Sequence, residues 1–213
     1  MAAPRAVAAA FESIALHAAA MFGSRWRAAR DEARRKALED QLTGLANARA
    51  FAERAAGGPA DPVAQSGEIV LLMYDIDGLA AITDRFERKF GDFVLRLFTE
   101  KARAEMRAND LLFRLGADEF CAILPGTSLA DAEAIANRVR AAFREKPLRA
   151  RKKQNVRPTA CVGLASSQEV GFGIDRLKAA AEEALRQAKC AGADSLCVYR
   201  ASAPAALAAP AAA

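Results

Sequence analysis

Two short apolar runs within residues 111–124, separated by a tip of small residues, constrain this chain more than any other stretch. Apolar runs of strand length around the tip Gly116-Ala117-Asp118 predict a β-hairpin. Its second strand opens with Asp118 and Glu119. Carboxylates at this point stabilise a hairpin poorly, but they suit a hard cation, and small tip residues let a phosphate group approach the backbone. A solvated acidic turn is the alternative interpretation.

A nearly continuous apolar run, residues 69–74, leads directly into Asp75, Ile76 and Asp77. Its length and composition predict a central strand that is buried on both faces. Two carboxylates then stand at the strand end, and oxygen ligands of this kind are those that hard cations prefer. Strand-end capping is the alternative role for Asp75 and Asp77. With Asp118 expected across the sheet, the pattern favours a cation site.

The remaining apolar periodicity predicts further helices and strands. Apolar residues recur at helical spacing in several segments, and two other short runs have the length of strands. Strands interleaved with helices in this order predict one α+β domain, with a mainly antiparallel central sheet that is covered by helices. The predicted helices are Phe90–Arg107, Leu129–Phe143 and Ile174–Ala191, with a short helix from Asn47 to about Ala56, and the further strands are Thr159–Ala165 and Ser195–Tyr199.

Composition divides the chain into three parts. Residues 1–38 are an N-terminal helical extension that is rich in alanine and arginine, in which Ser24 is placed to cap a helix. Residues 39–200 hold the predicted domain. Residues 201–213 are dominated by alanine and proline, and we expect them to be disordered.

The formal net charge of +5 is modest, and much of the basic excess lies in residues 25–36 and in a basic loop, Arg149–Arg157. Residues 25–36 are interpreted as solvated helix surface and the basic loop as solvated hairpin surface, so a nucleic-acid partner is not indicated. Contact of the basic loop with nucleic acid, an acidic partner or a membrane surface is the alternative. The role of the loop and of residues 1–38 is left open.

Several kinds of site are disfavoured by composition. His17 is the only histidine, which argues against histidine-based zinc sites and catalytic triads. The four cysteines lack metal-ligand spacing and are interpreted as small buried hydrophobic residues in a reducing compartment. Because no apolar run approaches the roughly 18 residues that span a bilayer, we expect a cytoplasmic protein. The cysteines are Cys121, Cys161, Cys190 and Cys197.

Six short motifs, in order along residues 39–200, carry a family resemblance. Together they resemble a GGDEF domain, the domain of diguanylate cyclases, with one change in the signature sequence. The motifs are Asp40–Phe51 (family pattern DxLTGLxNRRxF), Asp75-Ile76-Asp77, Gly91-Asp92, Gly116-Ala117-Asp118-Glu119-Phe120, Thr159–Gly163 (TVSxG) and Ala188–Gly192 (AKxxG).

The resemblance implies a nucleotidyl-cyclase fold similar to polymerase palm domains, and a homodimer in which each domain holds one GTP with Mg²⁺. Each 3′-hydroxyl would attack the partner's α-phosphate to form cyclic di-GMP. Asp75, the carbonyl of Ile76 and Asp118 would bind the metal, and Asp118 and Glu119 would be the catalytic residues. The implied substrate contacts are Gly116, Ala117, Thr83, Asp92 and Lys189.

The departures from the family pattern fall on the substrate contacts. If Ala117 needs a positive φ, its Cβ costs about 1–2 kcal/mol, and if the triphosphate must touch the backbone there, the methyl group obstructs it. Losing a charge-assisted hydrogen bond costs about 1.5–3 kcal/mol, so GTP binding or turnover is expected to be impaired. The changed positions are Ala117 for the second signature glycine, Ala80 for a phosphate-binding lysine, Thr83 for a guanine-reading asparagine and Ala193 for an arginine.

A second nucleotide site is implied by Arg107-Ala108-Asn109-Asp110, which stands where many diguanylate cyclases carry an RxxD motif that binds their product. An arginine fork matches guanine O6 and N7, and a carboxylate accepts from N1 and N2. A further arginine that the family supplies from the partner's helix aligns with Arg138. Capping of a helix end by Arg107 and Asp110 is the alternative role.

The leading hypothesis is therefore a degenerate GGDEF protein that binds cyclic di-GMP through Arg107 and Asp110 and signals by contact with a protein effector. An active diguanylate cyclase that tolerates Ala117 is the first alternative. A nucleotide-blind module for dimerisation or scaffolding is the second.

Overall fold

The computed structural model describes residues 29–57, 67–150 and 154–201 of the chain. It divides into two compact units, residues 1–39 and 40–213. In the first unit, residues 29–38 form helix α1, whose exposed face carries ion pairs of Glu32 with Arg35 and Lys36 at 2.9 and 3.4 Å. Such i,i+3 and i,i+4 pairs stabilise a helix weakly.

The second unit begins at Asp40 and alternates strands with helices. Caps mark several helix starts: the Asn47 side chain accepts from the amides of Arg49 and Ala50, and Ser128 accepts from the amide of Asp131. The elements are β1 (Ala46–Asn47), α2 (Ala48–Ala55), β2 (Ile69–Ile76), α3 (Leu79–Phe86), α4 (Arg88–Glu105), β3 (Leu111–Arg114), β4 (Glu119–Pro125), α5 (Leu129–Arg144), β5 (Leu148–Arg149), β6 (Asn155–Val156), β7 (Ala160–Ser166), α6 (Ser167–Val170), α7 (Ile174–Ala191) and β8 (Leu196–Val198).

A six-stranded sheet in the order β1-β3-β4-β2-β7-β8 forms the centre of this unit. The β3–β4, β4–β2 and β2–β7 pairs are antiparallel, and parallel pairs lie only at the two edges. The mainly antiparallel α+β fold that the sequence predicts is therefore confirmed. Strands β5 and β6 form a separate two-stranded hairpin.

Alternate residues of β2 point to opposite faces of the sheet, and each face has its own core. Val70, Leu72 and Tyr74 pack with α4 and α5, where the Phe98 ring lies 4.6 Å from that of Phe120 and 5.2 Å from that of Phe143. Ile69, Leu71 and Met73 pack on the other face with residues of α7 and α2. Because helices cover both faces, every residue of β2 is buried.

Gly163 in β7 lets α7 lie directly on the sheet. A Cβ at this position would come within 2.2 Å of the Ala181 carbonyl oxygen and 2.1 Å of the Leu185 amide nitrogen. Only glycine allows such an approach of two backbones. The close approach matters for the site, since α7 carries Lys189.

The predicted helices and strands lie within two residues of the observed ones, except at a few short elements. Strand β1 and helix α6 were not predicted, and only a helical turn was expected where α3 lies. The pairing of β5 with β6 agrees with the interpretation of the basic loop as a hairpin. The interpretation of all four cysteines as buried was wrong, because Cys190 is exposed and Cys197 is only half-buried. The predictions for residues 1–28, for the loop at 58–66 and for residues 202–213 lie outside the described residues. Within the described residues, no helix is both long and apolar enough to cross a bilayer.

Candidate functional site

The end of β2 and the turn between β3 and β4 meet at one edge of the sheet. Asp75 is paired with Glu119 in the β2–β4 ladder, and the Ile76 amide donates to the Asp118 carbonyl at 3.1 Å. The three residues predicted to bind metal, Asp75, Ile76 and Asp118, therefore lie together although Asp118 is more than forty positions from the other two in the sequence.

Asp75 is nearly buried, and its carboxylate accepts a hydrogen bond from the Lys189 ammonium at 2.6 Å. Burial raises the pKa of the Asp75 carboxyl; Lys189 opposes this, and the negative charges of Asp118 and Asp77 raise it further. Burial lowers the pKa of Lys189, but its bond to Asp75 and the nearby carboxylates outweigh this and raise it. A cavity of about 250 Å³, the Asp75 cavity, is lined by Asp75, Asp77, Gly78, Cys161, Lys189, Gly192 and Ala193.

The donor chemistry of the Asp75 cavity fits a hard divalent cation. Asp118 and Asp77 raise the pKa of Asp75 because their negative charges lie close to it, and a cation bound there would neutralise this excess of negative charge. Among the described residues, no group of three or more His, Cys, Asp or Glu side chains is placed to hold a metal. The ligands that the resemblance implies for Mg²⁺, which are Asp75, Asp118 and the Ile76 carbonyl, stay a prediction. A cation bound there would compete with Lys189 for Asp75.

Asp77, the second carboxylate at the end of β2, has a structural role. Its carboxylate accepts from the Thr159 hydroxyl at 2.7 Å and from the Asp194 amide at 2.8 Å. The side chain of Asp194 in turn binds Arg140 and Arg144 of α5, and the Arg140 side chain is only 10% exposed. This network fixes the loop after α7 against the end of β2, and it forms one wall of the Asp75 cavity.

The turn that carries the signature residues is held by the first motif. Asp40 accepts from Arg114 at 3.0 Å and from the Thr43 hydroxyl at 2.6 Å, and Arg114 also donates to the Ala117 carbonyl at 2.7 Å. Burial raises the pKa of Asp40, but the bonds from Thr43 and Arg114 outweigh it, so the pKa is lowered overall. Asp40 was predicted only as the first residue of the Asp40–Phe51 motif, and no role was predicted for Arg114.

Ala117 occupies its position without backbone strain. Among the described residues other than glycine, a positive φ occurs only at Glu87 and Asp194. The strain that the sequence analysis considered for Ala117 is therefore absent. Gly116 is more constrained, because a Cβ there would lie 3.0 Å from a carboxylate oxygen of Glu119.

The predicted base-reading residues lie where α3 meets α4. The Thr83 hydroxyl donates to the Leu79 carbonyl at 2.8 Å and lies against Gly91, where a Cβ would be 2.4 Å away. Thr83 thus uses its only donor within α3. Asp92 is half-buried and forms no hydrogen bond or ion pair with another described residue, so its carboxylate is free to accept from a ligand.

The predicted product-binding residues line a groove of about 360 Å³ between α4, β3 and α2, the Arg107 groove. The Asp110 carboxylate accepts from the Arg107 amide at 2.7 Å, so the helix-end cap that was considered as an alternative does form. The Arg107 guanidinium has no partner among the described residues. Arg54 and Arg103 line the same groove.

Arg138 lies on α5 and is half-exposed. Its guanidinium donates to Glu105 at 2.8 Å, and Glu105 precedes Arg107 by only two residues. Arg138 is thus tied to the end of α4, next to the Arg107 groove, and it does not line the groove itself.

Comparisons with known proteins identify the family to which this chain belongs. The sequence model of the family described as diguanylate cyclase, GGDEF domain, matches residues 37–195. Diguanylate cyclase DgcP of Pseudomonas aeruginosa is 34% identical over 168 residues, which cover 78% of this chain and 24% of DgcP. Response regulator PleD of Caulobacter vibrioides is 36% identical over 164 residues, covering 73% of this chain and 35% of PleD. The chain thus spans a quarter to a third of the length of these relatives.

The fold has solved counterparts. The coiled coil and GGDEF domain of DgcB from Caulobacter crescentus, solved in complex with c-di-GMP, matches with a TM-score of 0.79 at 22% identity, covering 87% of this chain and 98% of that chain. At this identity the likeness concerns the fold. The match of the family model to residues 37–195 shows that the chain belongs to the GGDEF domain family of diguanylate cyclases.

Proposed function

We propose that this GGDEF domain is a receptor for cyclic di-GMP, bound at the Arg107 groove, and that its own cyclase activity is weak or absent. One observation carries the proposal: Arg107 presents an unpaired guanidinium in a groove, whereas Lys189 at the Asp75 cavity is bound to a carboxylate of the chain itself. The first arrangement is ready for an anionic ligand. In the second arrangement, the ion pair of Lys189 with Asp75 must break before Lys189 can bind an anionic ligand.

The composition of the Asp75 cavity supports weak turnover. Two cationic contacts for a triphosphate are absent, since Ala80 and Ala193 stand at those positions. Each charge-assisted hydrogen bond to phosphate contributes about 1.5–3 kcal/mol. A triphosphate would therefore depend on Lys189, on the backbone of the Gly116–Ala117 turn and on the metal. When bound, Mg²⁺ would neutralise phosphate charge and orient the triphosphate.

The chain's own residues would still support parts of the reaction. Asp118 would hold the metal near the attacking hydroxyl, and Glu119 would support the Gly116 turn on which its carboxylate lies. Asp92 would accept from the guanine edge. Each domain holds one substrate, so turnover would require a homodimer with two such sites facing each other.

Cyclic di-GMP suits the Arg107 groove because its two guanine bases and two phosphates match an arginine fork, a carboxylate and further cations. Arg107 would bind O6 and N7 of one guanine, and Asp110 would keep its bond to the Arg107 amide with its other oxygen free to accept. Arg138 of a partner domain would contribute to the same ligand. The bound receptor would then signal through a protein effector.

The test is calorimetry with cyclic di-GMP on the purified chain, together with the Arg107→Ala variant. We expect the variant to lose about a hundredfold or more in affinity, because a bidentate arginine contact and a charge are removed together. Arg176→Ala, which removes an exposed arginine from α7, is the matched control and should bind like wild type. Equal binding by wild type and Arg107→Ala would refute the assigned site.

An active cyclase is the second candidate, and one observation favours it. Ala117 has no backbone strain, and Asp75, Asp118 and Glu119 are retained. Incubation of the protein with GTP and Mg²⁺ separates the two functions: rapid formation of cyclic di-GMP would contradict the receptor proposal. Failure to bind either nucleotide would instead indicate a scaffold.

A further inference from the structure

A third concave surface shares no lining residue with the Asp75 cavity or the Arg107 groove. It is a cleft of about 510 Å³ between α3 and the β5–β6 hairpin, larger than the Asp75 cavity or the Arg107 groove. Ile82, Phe86 and Val156 supply apolar lining, and all three are half-buried. Arg85, Gln154 and Asn155 supply polar groups at its walls.

Phenylalanine side chains continue from the cleft along the surface. The rings of Phe86 and Phe90 lie 5.4 Å apart, and those of Phe90 and Phe93 lie 6.3 Å apart. Phe93 is 47% exposed, and among the described residues only Phe172 is a second large apolar side chain with comparable exposure. Aromatic groups exposed next to a cleft are characteristic of protein interfaces.

The cations around the cleft form no hydrogen bond or ion pair within the described chain, unlike most other cations there. Elsewhere in the described residues, nearly every Lys and Arg side chain has an acidic or carbonyl partner, and Arg107 and Arg176 are the exceptions. Six further basic side chains form no hydrogen bond or ion pair with a described residue, and all lie on or next to the elements that form the cleft. This basic patch consists of Arg85, Arg88, Lys89, Lys146, Arg149 and Arg157.

The same corner carries two unfavourable local features. Arg88 and Lys89 occupy the first turn of α4, which has no acidic residue, and cations there oppose the helix dipole. Glu87 adopts φ 76° and ψ 155°, a conformation that only glycine adopts readily. Local costs of this kind are expected where a surface is shaped for a ligand.

The geometry points to this cleft as the docking site of an acidic protein segment that carries one large apolar side chain. The apolar side chain would fill the space between Ile82, Phe86 and Val156, while flanking carboxylates would pair with the basic patch. The described residues of the segments that bear the patch, 79–89, 145–150 and 154–157, contain six basic and three acidic residues. Their net charge is +3, so this surface would attract an acidic partner.

Two other polyanions fit less well. Single-stranded nucleic acid needs open aromatic faces for stacking, but the Phe86 ring has the Arg85 guanidinium over it at 5.2 Å and Phe90 packed beside it. A bilayer surface accepts apolar side chains that protrude, whereas Ile82, Phe86 and Val156 line a depression.

This docking site is independent of the proposed receptor site. Arg88 and Arg107 lie at opposite ends of α4, which is about 27 Å long at the usual helical rise. A change in the basic patch should therefore leave cyclic di-GMP binding unchanged, so the two proposals fail separately.

The test is fluorescence anisotropy with a labelled glutamate-rich peptide that contains one central phenylalanine. We expect Arg88→Glu to weaken binding about tenfold, since a cation is replaced by an anion at the interface. Arg176→Glu makes the same charge change in the first turn of α7 and is the matched control, expected to bind like wild type. Val156→Ser should lower the affinity for this peptide. It should leave unchanged the affinity for a peptide in which serine replaces the phenylalanine.

Two results would overturn the proposal. One is an equal loss of peptide affinity in Arg88→Glu and Arg176→Glu, which would mean that binding depends only on the net charge of the protein. The other is tighter binding of oligothymidylate, or of vesicles that contain phosphatidylserine, than of the peptide under the same salt conditions. Circular dichroism of each variant confirms that it is folded.

Discussion

The Asp75 cavity and the Arg107 groove are both charged clefts at the sheet, but they differ in how the chain treats its own charges. In the Asp75 cavity, the cation Lys189 lies on the carboxylate that a metal would need. In the Arg107 groove, the Arg107 amide donates a hydrogen bond to Asp110, and the Arg107 guanidinium has no partner among the described residues. A ligand that binds where charges are already paired must first break their ion pair, which costs free energy. Charged residues that match the family motifs therefore do not by themselves identify a working site.

The largest expected effect comes from Gly163→Ala. The new Cβ would meet backbone atoms of Ala181 and Leu185, which cannot rotate away, so α7 must move off the sheet. We expect a loss of about 3 kcal/mol or more in the free energy of unfolding, measured by urea denaturation. Because α7 carries Lys189, the Asp75 cavity should be disturbed, while the folded fraction still binds cyclic di-GMP at the Arg107 groove.

Gly91→Ala is the matched control for that variant. Its Cβ would meet the Thr83 hydroxyl, which can rotate, and alanine favours the helix. A change of less than about 1 kcal/mol is expected. If both glycine variants lost equal stability, the close α7–β7 contact would not be the cause.

Asp40→Asn tests the tie that holds the signature turn, and it should cost about 1–2 kcal/mol at neutral pH. Folding lowers the pKa of Asp40, so the ionised carboxylate stabilises the fold above its ordinary pKa, and this stabilisation is lost as the pH falls through the lowered value. The difference between variant and wild type should therefore shrink in acid. Urea denaturation at neutral pH and near pH 3 measures it, and a difference that stays constant with pH would contradict the role of Asp40.

Lys189→Met sharpens the comparison at the Asp75 cavity. Asp75 would lose its partner and remain beside two other carboxylates, which should cost about 1–2 kcal/mol because Lys189 itself is half-exposed. Mg²⁺ should then raise the thermal midpoint more in the variant than in wild type, since lysine no longer competes for Asp75. An equal or smaller effect of Mg²⁺ in the variant would show that Lys189 does not block the cation. Lys178→Met, which likewise removes a partly exposed lysine of α7 from an ion pair, is the control.

Glu87→Gly should have a small effect of the opposite sign, a gain of about 1 kcal/mol in the free energy of unfolding, because glycine relieves the positive-φ backbone at the junction of α3 and α4. The thermal midpoint measures it. A loss of stability would show that contacts of the Glu87 side chain outweigh its backbone strain.

Much of the candidate site could be predicted from the sequence because short motifs place backbone and side chains locally. The hairpin around Gly116 and the helix Ile174–Ala191 were predicted with nearly their observed bounds. The meeting of Asp75 with Asp118 followed from family motifs, and the register of β2 against β4 agrees with it.

The partners of the charged groups could not be predicted. Arg114 binds Asp40 across 74 positions, Lys189 binds Asp75 across 114, and the Asp194 amide binds Asp77 across 117. The last two pairs depend on how α7 crosses the sheet and on where the loop after α7 returns.

For this chain, the amino-acid sequence by itself determined the strands, the helices and the family, since apolar periodicity and turn residues act over a few neighbours. Only the tertiary structure decided which charges are already neutralised. An ion pair forms where packing brings two charged groups within a few ångströms, and the local sequence around each group does not determine that distance.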